Sequence, residues 1–175
     1  MRFHTTPLAG LLEVSSDAHR DHRGLFRRTW CADSFAQHGI RFAPKQHSLS
    51  ENTRALTLRG MHFQQTPAQE QKLVRCIQGE AFDVVLDLRE GSATWGRHWC
   101  VKLSAQAGNA LFIPQGFAHG FLSLSDHTLL EYLIDTPHEP HLARGVRWDD
   151  PRFALPWPAK PLVVSDKDQR WPLHA

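Results

Sequence analysis

The sequence predicts an all-β protein, a sandwich or barrel of short strands, and two observations support this fold class. First, seven short segments mostly alternate apolar with polar residues and are separated by Gly, Pro, Ser and Asp. Second, the sequence after Ile134 is rich in proline, which favours extended or short helical segments that wrap around a barrel. With 175 residues, the chain is expected to form one domain, residues 1–175.

The predicted strands are short, and a single helix accompanies them. The strands are Leu56–Phe63, Lys72–Gln78, Ala81–Leu88, His98–Leu103, Ala110–Ile113, Gly120–Leu124 and Thr128–Ile134. The helix runs from Asp33 to His38, with Asp33 as its N-cap and Gly39 ending it in the left-handed conformation.

Composition excludes several classes of function. Lys+Arg 20 against Asp+Glu 18 gives a net charge of +2, and the basic residues are dispersed, so no nucleic-acid surface is expected. No stretch is long enough to cross a membrane, and Pro7–Leu12 is too short for a signal peptide. Cys31, Cys76 and Cys100 form no CxxC pair, which argues against a disulfide framework and fits a reducing cytoplasm.

Charged and titratable groups interrupt two of the predicted strands. Arg59 and His62 lie in one strand and Lys72 begins the next, although burying such groups is costly without a partner. Arg59 and His62 are three positions apart, so a regular strand would put them on opposite faces. Gly60 between them predicts a β-bulge that brings both to one face.

A glycine-proline-histidine motif narrows the fold. It has the spacing G-x5-P-x-G-x2-H, at Gly108, Pro114, Gly116 and His119. The motif resembles the second conserved motif of the cupin superfamily, which implies a cupin-type double-stranded β-helix, or jelly roll, with a few short helices. Metal-binding cupins have H-x-H in their first motif, whereas this chain has a lone His62, with Glu70 or Glu131 as further candidate ligands. We therefore expect no metal.

The other use of a buried histidine is proton transfer, because its pKa lies near neutral pH. A base that acts on carbon needs an orienting carboxylate, a cation for the enolate oxygen and an acid on the opposite face. Lys72 is a candidate cation, and Tyr132, the only tyrosine, is a candidate acid. Asp83 and Asp87 alternate on one face and are candidate carboxylates for either histidine.

Ordered motifs along nearly the whole chain resemble one family. They are Asp21–Phe26 (D-x-R-G-x-F), Leu58–Gln64 (L-R-G-L-H-Y/F-Q), Gly79–Val84 (G-E-V-x-D-V), Ile113–Phe121 (I-P-x-G-F-A-H-G-F) and Ser165–Asp168 (S-x-K-D). Together they resemble the dTDP-4-dehydrorhamnose 3,5-epimerases, metal-free cupin-type enzymes that act on nucleotide-linked 4-keto-6-deoxyhexoses.

The resemblance implies a role for each matching residue. His62 is the implied general base and Asp168 its orienting carboxylate, while Lys72 supports the enolate and Tyr132 is the acid on the opposite face. The implied substrate-binding residues are Arg23, Arg28, Gln46, Arg59 and His119. The ketone serves as the electron sink, so the resemblance implies no cofactor.

The same resemblance implies a partner and a pathway. The substrate is a nucleotide sugar, and the reaction inverts C3, C5 or both carbons. Family members are typically homodimers that share strands, to which Phe3–Val14 could contribute here. The implied pathway supplies a rhamnose-type deoxysugar to a surface polysaccharide or a glycosylated metabolite.

Two departures from the family pattern bear on the substrate. Arg28 stands where the family usually has a glutamate near the nucleobase, and Gln46 lies in an altered Q-x-N segment. Arginine only donates hydrogen bonds, so we hypothesise that base recognition is relaxed or shifted toward a CDP-linked sugar. Pro137 and His138 replace tyrosines after Tyr132, which leaves single-site epimerisation open. A metal-binding cupin enzyme and a non-catalytic cupin that binds a sugar nucleotide stay open as well.

Overall fold

The computed structural model describes residues 1–174, which form short strands with two short helices. In chain order the elements are β1 (Arg2–Thr5), β2 (Leu12–Ser15), β3 (Ala18–Asp21), β4 (Gly24–Arg27), α1 (Ala32–Gln37), β5 (Gln46–Asn52), β6 (Thr57–Gln64), β7 (Lys72–Gln78), β8 (Glu80–Asp87), β9 (His98–Ser104), β10 (Ala110–Ile113), β11 (Phe117–Ser123), β12 (Thr128–Ile134), β13 (Ala143–Gly145), β14 (Val163–Val164) and α2 (Asp166–Gln169).

Two sheets of six strands face each other, which confirms the predicted jelly roll. One sheet has the spatial order β1-β2-β10-β7-β12-β5, and the other has β13-β6-β11-β8-β9 with β14 added beside β6. All strand pairs in these sheets are antiparallel except the short β14–β6 pair. The β3–β4 hairpin forms a separate two-stranded sheet.

All seven predicted strands are confirmed, within three residues at each end. The sequence prediction missed β1 to β5 and the two short strands near the C-terminus. The missed strands are short or contain His, Arg, Ser and Asp, so they lack the apolar alternation that identifies a strand.

The helix α1 begins earlier than predicted, and the prediction of Asp33 as its N-cap is wrong. Cys31 is the N-cap residue, with extended backbone and no side-chain capping bond. Asp33 instead lies in the first helical turn, where its carboxylate interacts favourably with the helix dipole. Gly39 has a φ of 73° immediately after the helix, which confirms the predicted left-handed end.

The central strands of each sheet are covered on both of their faces. The space between the sheets holds a cluster that includes Val74, Leu111, Phe117, Phe121 and Leu130. The chain around α1 covers the outer face of the first sheet, and the segment after β13 covers the outer face of the second. Side chains along a strand alternate between its two faces. The members of this inner cluster therefore show which residues of β6, β7, β8, β11 and β12 point into the space between the sheets.

The strand β6 contains the bulge predicted at Gly60. His62 pairs with His119 of β11 and Arg59 pairs with Phe121, so β6 has one more residue than β11 between the two pairs. Gly60 has a φ of 122°, and a Cβ there would lie 2.6 Å from the Cα of Gly120. Only glycine fits this close approach, and the bulge places Arg59 and His62 on the same face.

Candidate active site

The site begins with two histidines on neighbouring strands of one sheet. His62 on β6 and His119 on β11 are directly opposite in the antiparallel register. His119 alternates with Phe117 and Phe121, both members of the inner cluster, so both imidazoles lie on the inner face of the sheet. The structure thus brings the two predicted histidines to one place between the sheets.

His62 is paired with Asp168 across 106 residues of sequence. Its Nε2 lies 2.6 Å from Oδ1 of Asp168, which belongs to α2. Ser165 caps this helix and accepts a hydrogen bond from the backbone N–H of Asp168 at 3.1 Å. The bulge frees the N–H of Gly60 to donate to Oδ2 of Asp168 at 3.2 Å. The carboxylate is therefore fixed by both the C-terminal helix and the bulged strand.

The hydrogen bonds on Asp168 decide its charge. Burial alone would raise the pKa of Asp168, but hydrogen bonds from His62, Gly60 and Trp171 outweigh it and hold the pKa below its usual value. An ionised carboxylate only accepts hydrogen bonds, so Nε2 of His62 carries the proton and Nδ1 keeps a free lone pair. The His62 side chain is 42% exposed whereas that of Asp168 is 4% exposed. His62 can thus exchange a proton with a bound molecule.

His119 is paired with Asp83 in a sealed environment. Nε2 of His119 lies 2.8 Å from Oδ2 of Asp83, and the two side chains are 6% and 0% exposed. Burial raises the pKa of Asp83, although His119 and Lys72 act in the opposite direction. Of the two carboxylates proposed from the sequence, Asp83 meets a histidine. Asp87 instead binds Arg89 and two hydroxyl groups.

Lys72 points into the same interior, because it alternates with Val74 and Cys76 of the inner cluster. Its ammonium lies 2.6 Å from Oε1 of Glu70, and the two side chains are 12% and 10% exposed. Gln64 donates a hydrogen bond to the other oxygen of Glu70 at 2.8 Å. The lysine is therefore held by a carboxylate inside the barrel. Sequence reasoning considered Glu70 only as a metal ligand and missed this pairing.

Tyr132 of β12 lies across the barrel from the second sheet and contacts the inner cluster. Its ring meets the ring of His119 edge-on, with centroids 6.1 Å apart. Burial raises the pKa of Tyr132 far above its usual value, and the charge of Asp83 adds to this effect. The phenol is thus neutral at physiological pH and keeps a proton to donate.

Arg59 and Gln46 lie at the rim of this interior. Nε of Arg59 donates to Oδ1 of Asn52 at 2.9 Å, and its guanidinium also donates to the backbone of Glu51. Gln46 pairs with Ile134 two positions along β12 from Tyr132, so it shares the face of the tyrosine. Asn52 is a site residue that the sequence did not indicate.

Arg23 and Arg28 are separated from the other residues within the chain. Arg23 lies in the turn of the β3–β4 hairpin and forms an exposed ion pair with Asp21. Arg28 is exposed just after β4. The hairpin also exposes two large apolar side chains, Leu25 at 50% and Phe26 at 71%.

An open cavity of about 360 Å³ adjoins the histidine–aspartate pair. Arg59, His62 and Lys167 line it, together with β14. Lys167 is the third position of the S-x-K-D motif and was not proposed as a site residue from the sequence. The cavity therefore offers two cations beside an imidazole, a combination that suits an anionic ligand.

The described residues include neither a candidate metal centre nor a helix that could cross a membrane. Among residues 1–174 there is no cluster of three or more His, Cys, Asp or Glu side chains that could hold a metal ion. Glu131, considered as a ligand from the sequence, binds Arg75 and His47 instead. Within that same stretch, no helix is long and apolar enough to cross a membrane.

Comparison with known proteins gives a consistent result. A family model described as dTDP-4-dehydrorhamnose 3,5-epimerase matches residues 5–175. The enzyme of that name from Methanothermobacter thermautotrophicus is 39% identical in an alignment of 173 positions, which covers 97% of this chain and 92% of the relative.

Two solved structures extend the comparison. The crystal structure of dTDP-4-dehydrorhamnose 3,5-epimerase from Bacillus anthracis with TDP and PPi bound has a TM-score of 0.96 and 33% identity, over 99% of each chain. ChmJ, a 3'-monoepimerase from Streptomyces bikiniensis in complex with dTDP-quinovose, has a TM-score of 0.90 and 32% identity, over 97% of this chain and 86% of ChmJ.

Proposed function

The chain belongs to the dTDP-4-dehydrorhamnose 3,5-epimerase family, and from this premise we propose how its residues invert carbons of a dTDP-linked 4-keto-6-deoxyhexose. The chain is an isomerase of this type. The C4 ketone makes the hydrogens on C3 and C5 acidic, because the carbanion left behind is an enolate. No cofactor is needed for this chemistry, since the ketone accepts the electron pair.

His62 is the general base in this proposal. Nδ1 takes the proton from carbon, and Asp168 stabilises the imidazolium that results. Lys72 donates a hydrogen bond to the enolate oxygen, where negative charge develops. Tyr132 returns a proton to the same carbon from the opposite face, so the carbon is inverted. The phenolate and the imidazolium then exchange protons with solvent before the next inversion.

One observation carries the proposal, namely the 2.6 Å contact between Asp168 and a histidine that remains 42% exposed. A histidine held only for structure is expected to be sealed from solvent. Arg59 and Lys167 beside His62 supply the charge to hold a diphosphate. His119 and Gln46 are proposed to contact the substrate from the inner face of the barrel.

The reaction is tested by incubating the enzyme with dTDP-4-keto-6-deoxyglucose in deuterated water and following label by NMR. We expect deuterium at both C3 and C5. Label at neither carbon would contradict the epimerase proposal.

A single-site epimerase is the second candidate, and the similarity to the 3'-monoepimerase ChmJ favours keeping it. Pro137 and His138 follow Tyr132 here, and they offer different contacts for rotating the sugar between two inversions. Label at C3 alone in the same experiment would establish this second candidate and rule out double epimerisation.

We further propose a homodimer in which the β3–β4 hairpin reaches a second copy of the chain. The exposed Leu25 and Phe26 support this, because they would lose their contact with water in such an interface. Arg23 would then act in the site of the partner. Mixing an Arg23→Ala variant with a His62→Ala variant should restore activity that each lacks alone, whereas a monomer by light scattering would contradict the proposal.

We also propose that Arg28, just after the hairpin, reaches the site of the partner and contacts the nucleobase there. A guanidinium donates hydrogen bonds and so suits the acceptor N3 of cytosine better than the N3–H of thymine. Titration calorimetry with dTDP and CDP tests the base. Comparable affinities are expected if Arg28 relaxes recognition, and a clear preference for dTDP would remove this idea.

A further inference from the structure

Trp171 contacts the same carboxylate oxygen as the proposed base. Its indole Nε1 lies 3.3 Å from Oδ1 of Asp168, the oxygen that also accepts from Nε2 of His62 at 2.6 Å. This indole has no part in the proton transfers proposed for His62 and Tyr132. Two donors therefore share one carboxylate oxygen, so each hydrogen bond is weaker than it would be alone.

The indole of Trp171 contacts both Gly145 and Lys167. It lies flat against Gly145, where an added Cβ would be 2.2 Å from Cε2 and 2.3 Å from Nε1 of the indole. Lys167 lies over the ring, with its ammonium 5.4 Å from the centroid. Gly145 is also the β13 residue paired with His62. Because Gly145 has no side chain, the indole of Trp171 can lie beside the His62–Asp168 pair.

We infer that Trp171 is a positioning residue that sets how strongly Asp168 retains the proton of His62. This inference rests on the proposed function, in which His62 must be neutral to act as base. An N–H directed at a carboxylate stabilises its ionised form and reduces its proton affinity. Without the indole N–H, Asp168 would attract the imidazolium proton more strongly, and more enzyme would be in the protonated, inactive form at a given pH.

The charged groups around the pair do not replace this effect. Arg59 and Lys167 face His62 and Asp168 from β6 and α2. Asp166 and Arg170 of α2 pair with each other at 3.0 Å on the exposed side. A Trp171→Phe change keeps an aromatic side chain at this position and leaves all four charges in place, so the N–H donor is the one polar group that it removes.

The experiment compares Trp171→Phe with a matched control, Trp95→Phe, which removes the N–H of an indole that contacts Phe153 and Arg152. Two readouts are measured for each, the pH profile of kcat/KM and the NMR titration of the His62 ring. In Trp171→Phe we expect both midpoints to move to higher pH by about half a unit, a roughly threefold loss of kcat/KM at acid pH. KM should change less than about twofold, and Trp95→Phe should match the wild type.

Unchanged midpoints in folded Trp171→Phe would overturn the inference and leave Trp171 a packing residue. Should that variant not fold, Gly145→Ala displaces the indole while keeping Trp171, and the same shift is expected. A shifted His62 titration with an unshifted kcat/KM profile would support the contact but contradict His62 as the base. The failure of this inference and the failure of the proposed function are thereby separated.

Discussion

Two histidine–carboxylate pairs face each other across neighbouring strands, and they differ in solvent access and in the support of the carboxylate. The His62 side chain is 42% exposed, and Asp168 accepts hydrogen bonds from His62, Gly60 and Trp171. The His119 side chain is 6% exposed, and Oδ1 of its partner Asp83 has no hydrogen-bond partner in the part of the chain that the structure describes.

This difference assigns different chemistry to the two pairs. Several donors lower the pKa of Asp168 despite its burial, so its charge would stabilise the imidazolium that the proposed mechanism forms on His62. Burial raises the pKa of Asp83, so the ionised form of this carboxylate is disfavoured in the interior. The open pair suits proton exchange with substrate and solvent, whereas the sealed pair suits a fixed geometry beside Tyr132.

The largest effect is expected from Asp168→Asn, which removes the charge from the open pair. The amide favours the wrong tautomer of His62 and cannot stabilise its imidazolium, so kcat should fall about 10³-fold. Steady-state kinetics with dTDP-4-keto-6-deoxyglucose, together with dTDP binding by calorimetry, separates turnover from affinity. A loss below about tenfold would remove Asp168 from the proposed mechanism.

Tyr132→Phe tests the acid that stands beside the sealed pair. The ring and its edge-on contact with His119 are kept, but the proton donor is lost, so we expect a fall in kcat of about 10²-fold with unchanged dTDP binding. Deuterium exchange at carbon should persist, because His62 is intact. Turnover equal to wild type would mean that the acid is misassigned.

Asp83→Asn is expected to have a smaller effect on turnover, at most about tenfold. The substitution keeps the shape and a hydrogen bond to His119, and the carboxylate it replaces already has a raised pKa. Kinetic assays beside Asp168→Asn give the comparison. If Asp83→Asn were the more damaging change, the assignment of roles to the two pairs would be reversed.

The smallest effect is on stability, where the two carboxylates should have opposite pH dependence. A lowered pKa in the folded state stabilises above the unfolded pKa of about 3.9, and this is lost as pH falls. A raised pKa penalises the folded state as pH rises above the same value. As pH rises from about 3 to 6, urea unfolding should show Asp168→Asn losing stability relative to wild type and Asp83→Asn gaining it. Parallel curves would contradict the stated charge difference.

Some of this comparison could be predicted from sequence. The faces on which His62 and His119 lie follow from strand alternation, because local periodicity determines the face of a residue. The bulge follows from Gly60, a glycine in the interior of a strand. Asp83 could also be predicted from the sequence, as one of two carboxylates on the same face of one strand. The strands around these residues have clear apolar patterns, so their positions were predicted within three residues.

The rest depends on contacts that no local pattern records. Asp168 reaches His62 across 106 residues through a four-residue helix, and only the family resemblance suggested the pair. No sequence pattern indicated a role for Trp171, because its position depends on its contact with Gly145 of β13.

The most direct test of the open pair as the proton-transfer site is hydrogen–deuterium exchange of the substrate in deuterated water. His62→Asn and His119→Asn are compared by NMR at C3 and C5 of dTDP-4-keto-6-deoxyglucose. We expect exchange to be abolished at both carbons in His62→Asn and to continue, at a reduced rate, in His119→Asn. Exchange at the wild-type rate in His62→Asn, or its loss in His119→Asn alone, would contradict the account.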